Sequence, residues 1–191
     1  MKKLKNKYYI LRHGQTIYQT KKKDWSYPRG SKVKVGLTQK GKNQIKVVAK
    51  KLKKAGIDLI YSSDFFRTRE TSQIVIKKLG IKKIKFDKRL RDIDWGIYQG
   101  GRKENFRRDF PSGKIMFNKR PKKGESRKNV QKRVLSFLKE LEKKYKGKTI
   151  LIISHGDPLW LLERKVKGLS AVSFVKNQKE DYIQPGELRR F

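Results

Sequence analysis

The chain has 191 residues, of which 53 are Lys or Arg and 17 Asp or Glu, for a formal net charge of +36; it holds two histidines and no cysteine. That length suits one domain with a substantial core, and the absence of cysteine excludes disulfides, zinc-thiolate sites and cysteine nucleophiles. No stretch approaches the roughly 20 apolar residues of a membrane-spanning helix, and Tyr8 to Leu11 is too short for a signal peptide, so a soluble cytoplasmic protein without a membrane partner is expected.

Tyr8 to Leu11 is a short β-rich run ending at Arg12-His13-Gly14, which predicts a buried strand delivering a loop. From Thr38, the apolar residues Ile45, Val48, Ala49 and Leu52 recur at helical spacing, and Gly56 closes the segment. Asp58 to Tyr61 reads as a second strand, Asp64 to Leu79 as a helix ended by Gly80, and Ile84 to Phe86 as a third strand. Residues 96–124 mix glycine, proline, aromatics and charge without a period, and are expected to form a long excursion covering an active site.

Ser126 can cap a helix with Val130, Val134, Phe137, Leu138, Leu141 and Tyr145 on one face. Thr149 to Ile153 is continuously apolar, as a parallel strand buried on both faces requires, and it runs into Ser154-His155-Gly156. A helix from about Pro158 to Lys167 follows, and Tyr182-Ile183 with Glu187 to Phe191 suggests a closing hairpin. Alternating strands and helices imply an α/β fold of one domain over residues 1–191.

The lysines are spread through nearly every segment, which reads first as solvated helix faces. The charge also admits an anionic phosphorylated substrate or nucleic acid as partner. Oligomeric state is not legible.

Both histidines stand at the C-terminal ends of predicted buried strands and precede glycine. Ligands of open α/β sheets bind at those ends, so distant segments can bring both imidazoles to one mouth. There, imidazole can serve as nucleophile, acid or base.

Leu11-Arg12-His13-Gly14-Gln15-Thr16 resembles the signature of the histidine phosphatase superfamily, which includes the cofactor-dependent phosphoglycerate mutases. Further matches follow in family order: Leu37-Thr38 with Gly41 and Gln44, Tyr61 to Thr71, Leu90 to Gly100, Gly124-Glu125-Ser126 with Arg133, and Ser154-His155-Gly156. The resemblance implies a three-layer α/β/α sandwich with a mostly parallel central sheet, like phosphoglycerate mutase. It implies His13 as the residue that takes the phosphoryl group, Arg12, Arg67 and His155 around the phosphate, and no metal or other cofactor. Gln15, Thr16, Gln19 and Ser62 are candidate phosphate or substrate contacts, and Arg69 is expected to be structural.

Phosphoryl transfer needs an in-line nucleophile, cations on the equatorial oxygens and a proton for the leaving oxygen. Neutral imidazole and the planar forks of two arginines meet the first two needs. Asp92 stands where the family usually has a glutamate proton donor, one methylene shorter, and is preferred over Asp94; Gln99 replaces a frequent glutamate. To act as an acid, Asp92 must hold its proton, and burial and the cationic cluster push its pKa in opposite directions.

Three functions remain open. The first is phosphomonoester hydrolysis through a phosphohistidine. The second is mutase-type transfer to another hydroxyl, disfavoured because the excursion is shorter than the closing insertion of mutases. The third is a basic nucleic-acid-binding protein that retains the fold. The basic excursion, with Arg107, Arg108, Lys114, Lys119, Arg120, Lys122 and Lys123, is a candidate attractor for polyanionic phosphates.

Overall fold

The computed structural model describes residues 3–30, 33–111, 113–170 and 181–191. The strands are β1 (Lys7–Arg12), β2 (Leu59–Ser62), β3 (Lys85–Phe86), β4 (Thr149–Ser154) and β5 (Leu188–Arg190). The helices are α1 (Gln39–Leu52), α2 (Phe66–Leu79), α3 (Lys103–Asp109), α4 (Gly113–Asn118), α5 (Arg127–Lys144) and α6 (Gly156–Val166). One sheet in the order β3-β2-β4-β1-β5 is parallel except for β5, which runs antiparallel to β1. The expected single domain extends over residues 171–180, which lie outside the described residues.

Side chains of a strand alternate between faces, and the two hydrophobic clusters follow that rule. Tyr8 and Ile10 of β1 with Ile150 and Ile152 of β4 join the cluster under α5 and α6. Leu11 with Leu151 and Ile153 joins Ile45, Val48 and Leu52 of α1 and Val75 of α2 on the opposite face. The result is an α/β/α sandwich whose central strands are apolar throughout because both faces are covered. Burying each Ile or Leu stabilises by about 1.5–3 kcal/mol relative to exposure.

Local signals set the helix ends. Thr38 accepts a hydrogen bond from Gly41 N at 3.0 Å, and Ser126 and Asn129 form a reciprocal cap on α5. Helix α2 begins at Phe66, two residues later than expected, because Arg91 takes the Asp64 carboxylate at 2.6 and 2.7 Å. Helix α6 begins at Gly156, ahead of Pro158. Proline is tolerated there because amides in the first turn have no intrahelical partner.

The tail departs from the expected hairpin. Residues Leu188 to Arg190 pair with β1 instead, with Leu11 opposite Leu188 and Tyr9 opposite Arg190. Strand β1 would otherwise leave an edge of unpaired backbone groups beside the buried core. Ile183 is fully buried, and Gly186 N donates to His13 O at 3.0 Å, so the tail seals the end of β1.

The excursion is ordered by aromatic stacking. Trp95 and Phe106 have ring centroids 4.4 Å apart, and Phe106 and Phe110 are 4.8 Å apart.

Candidate active site

Parallel pairing aligns Arg12 of β1 with Ser154 of β4, so the next residues on both strands, His13 and His155, emerge side by side. Their ring centroids are 5.3 Å apart with planes at 62°, and both side chains are fully buried. Strand β2 flanks β4 on its other side, and Ser63, just beyond it, lies 2.8 Å from His155 Nε2 through its hydroxyl.

His13 Nδ1 is 2.8 Å from Gly14 O. A carbonyl can only accept, so Nδ1 carries the proton and the Nε2 lone pair is free. Nε2 is buried and has no hydrogen-bond partner among the described residues; the same holds for Arg12 Nε, Arg67 Nε and His155 Nδ1. Buried polar atoms are rarely left this way without a functional reason. Burial, followed by the positive charges of Arg67 and Arg12, holds the His13 pKa well below the usual imidazole range. His155 is lowered in the same direction by burial, then Arg67 and His13. Both rings are therefore neutral near pH 7.

Arg67 projects from the first turn of α2, buried, with its guanidinium over the Tyr27 ring at 3.9 Å. It donates to Asp92 Oδ2 at 2.9 Å, and His155 Nδ1 lies 3.7 Å from the same oxygen. Burial raises the Asp92 pKa and outweighs the opposing pull of Arg67. Arg12 donates to Ile183 O at 2.8 Å, and its guanidinium lies 5.5 Å from the Tyr182 ring centre. The Asp92 loop is held by Arg133, which donates to the carbonyls of Arg89 and Asp92 and pairs with Glu125 at 2.9 Å.

The glycine after His13 has a packing reason. A Cβ on Gly14 would lie 2.6 Å from Gly41 O, and one on Gly41 would lie 2.2 Å from Gln15 O. The His13 loop thus rests directly on the first turn of α1, an approach that side chains would prevent.

The other expected contacts divide. Thr16 and Gln19 both bond the Tyr27 hydroxyl, at 2.8 and 2.9 Å, and so brace the ring under Arg67. Gln15 accepts from the Thr38 hydroxyl at 2.9 Å. Ser62 does not face the histidines through a hydrogen bond: its hydroxyl donates to Ser63 O and accepts from Ser72. Ser63 is the serine beside His155. Asp94 is engaged by Arg29 at 2.8 Å, and Arg69 donates to Asp64 O and covers Phe86.

A cavity of about 660 Å³ adjoins the site. Its wall includes Arg12, Asp92 and Tyr182, together with Lys103, Phe106 and Phe110 from the excursion. Among the described residues no group of three His, Cys, Asp or Glu side chains is arranged to hold a metal ion.

Residues 8–181 match the family model described as histidine phosphatase superfamily, branch 1. The chain belongs to this superfamily. It is 32% identical over 170 residues to a protein of Escherichia coli named probable phosphoglycerate mutase GpmB, covering 85% of this chain and 75% of that one. YhfR of Bacillus stearothermophilus superposes with a TM-score of 0.78 at 25% identity, covering 97% of this chain and 90% of that one. A mycobacterial glucosyl-3-phosphoglycerate phosphatase, in a complex with VO3, gives a TM-score of 0.79 at 23% identity, over 97% and 90% of the two chains, a likeness of fold. Proteins named as phosphatases and as a probable mutase thus stand among this chain's relatives and structural neighbours. No helix among the described residues is long and apolar enough to cross a membrane.

Sequence reading missed Ser63, Tyr27, Tyr182 and the buried Arg127–Asp157 pair, whose Nε to Oδ1 distance is 2.9 Å. Ser63 sits directly after Ser62 at a strand end, so a one-residue shift separates the two assignments. Tyr27 and Tyr182 lie in irregular segments where no periodicity points to a face.

Proposed function

We propose that this chain hydrolyses phosphomonoesters, with His13 Nε2 as the nucleophile. One observation carries the reading: a buried imidazole with its proton fixed on Nδ1 and a free Nε2, beside two arginines and a second histidine.

In the proposed reaction, Nε2 attacks phosphorus as the bond to the leaving oxygen breaks, giving a phosphohistidine on His13. The equatorial oxygens meet Arg12 and Arg67, which supply positive charge, and His155, which becomes charged only by taking a proton from the bound phosphate. A phosphate oxygen arriving at Arg67 competes with Asp92 Oδ2, now 2.9 Å away. Asp92, freed from Arg67 and already inclined to hold a proton, donates it to the leaving oxygen. Water then attacks the phosphohistidine with the carboxylate accepting its proton, and inorganic phosphate leaves. A soluble cytoplasmic location without membrane attachment completes the reading.

The test is release of phosphate from an aryl phosphate in the presence of a chelator. Release that is lost in His13→Ala supports the proposal; release undiminished in that variant overturns it. Mutase-type transfer is the competing reading, favoured by the relative named probable phosphoglycerate mutase GpmB. Interconversion of two phosphoglycerates without phosphate release would select it.

A further inference from the structure

A second depression opens beside the catalytic cavity. Its volume is about 520 Å³, and Arg12, Gln19 and Lys103 line both spaces, so the two adjoin. Lys23 and Lys40 complete its charged lining, with Gln15, Tyr18 and Gln44 between them, and no Asp or Glu lines it. The catalytic cavity, by contrast, has Asp92 and Asp157 among its arginines.

This groove differs from the lysine-covered surface in general. Four cations from four separate elements meet here: the end of β1, the loop before Trp25, the first turn of α1 and the first turn of α3. Lys103 is half-buried, and its pKa is lowered first by burial and then by the neighbouring Arg107, so an anion would relieve it. Its ammonium is fixed by donation to the Lys23 carbonyl, which ties the two lysines together. Like charges held at one place repel in the free protein, and a bound anion turns that cost into attraction. Of the seven basic excursion residues expected to attract phosphates, only Arg107 lines the cavity, and none lines this groove.

We propose that the groove binds a second phosphate of the substrate, so that the preferred substrate is a phosphomonoester carrying a further, separately placed phosphate. This rests on the hydrolase reading of the adjoining site. The scissile phosphate meets His13, while the second meets Lys23, Lys40 and Lys103. The aromatic wall of Tyr27, Trp95, Phe106 and Phe110 in the cavity suits a flat body between the two groups.

The test compares adenosine 5′-monophosphate with adenosine 3′,5′-bisphosphate, using Lys23→Glu/Lys40→Glu and a control of equal charge change at the far end of α1 and just beyond it, Lys50→Glu/Lys54→Glu. The wild type is expected to show a KM for the bisphosphate at least about tenfold lower, a ratio that collapses in the groove variant and persists in the control. Equal KM values in the wild type, or a collapse in both variants alike, would overturn the proposal. A 5′-phosphorylated pentanucleotide identifies the source of the second phosphate. A KM lowered for it as well assigns the groove to a phosphodiester backbone, and one lowered only for the bisphosphate assigns it to a small molecule. Should neither nucleotide be hydrolysed, the aryl phosphate assay decides the hydrolase reading separately, and calorimetry with the bisphosphate decides the groove. Binding weakened about tenfold in the groove variant alone upholds it; equal binding by all three proteins overturns it.

Discussion

His13 and His155 follow adjacent parallel strands with ring centroids 5.3 Å apart, and burial first, then Arg67 and other nearby groups including Arg12, depress the pKa of each. Two imidazoles so close cannot both be charged without strong repulsion. In the proposed reaction one ring attacks phosphorus while the other gains charge only against a bound anion. His155→Ala should therefore lower kcat about 100- to 1,000-fold, the loss typical of a transition-state donor. Steady-state kinetics on an aryl phosphate would measure it, and a change confined to KM would assign His155 to binding alone.

Asp92 should act through its proton. Its pKa is raised by burial, so activity that requires the acid form falls as pH rises through that value. On the acidic side activity falls when His13 takes a proton, displaced well below the usual imidazole value. Asp92→Asn should cost about 100- to 10,000-fold on an alkyl phosphate, whose leaving group needs a proton, and far less on an aryl phosphate. Equal losses on both substrates would remove Asp92 as the donor.

Stability should depend on pH through the buried rings. In the unfolded chain both histidines titrate near pH 6.5, while in the folded chain they resist protonation. The stability they confer is present above about pH 6.5 and is lost as pH falls through their lowered folded values. Asp92 works the other way, because its folded pKa is raised: its contribution is complete below the ordinary carboxylate range and is lost as pH rises through the folded value. Urea unfolding at about pH 7 and about pH 5 should show a loss on acidification that shrinks in His13→Asn/His155→Asn.

Gly41→Ala should destabilise the fold by about 1–3 kcal/mol, because its Cβ would meet a backbone carbonyl that cannot swing away. It should also reduce kcat, since the displaced Gln15 carbonyl belongs to the His13 loop. A thermal midpoint unchanged from wild type would show that the loop and α1 separate easily.

The strands carrying the histidines were legible because each is a continuous apolar run ending at a polar residue and glycine. The main helices were legible from caps at Thr38 and Ser126 and from a one-sided apolar stripe. The tail was misread as a hairpin because Leu188 to Arg190 pairs with β1, a partner nearly the whole chain away that local patterning cannot reveal. That Ser63 lies beside His155 was not legible for a finer reason. Both serines are buried at the end of β2, and only the sheet register decides which hydroxyl turns toward His155. The sign of the Asp92 shift depends on burial against Arg67, a balance that exists only once the loop is folded.

In the proposed reaction His13 Nε2 becomes phosphorylated during turnover. Rapid acid-free quenching with a phosphorus-labelled phosphomonoester, followed by peptide mapping, tests it most directly. Label is expected on His13, attached at Nε2 because Nδ1 is held by the Gly14 carbonyl, and is expected to disappear as phosphate is released. Turnover with no label on His13 at any quench time, and undiminished in His13→Ala, would contradict it.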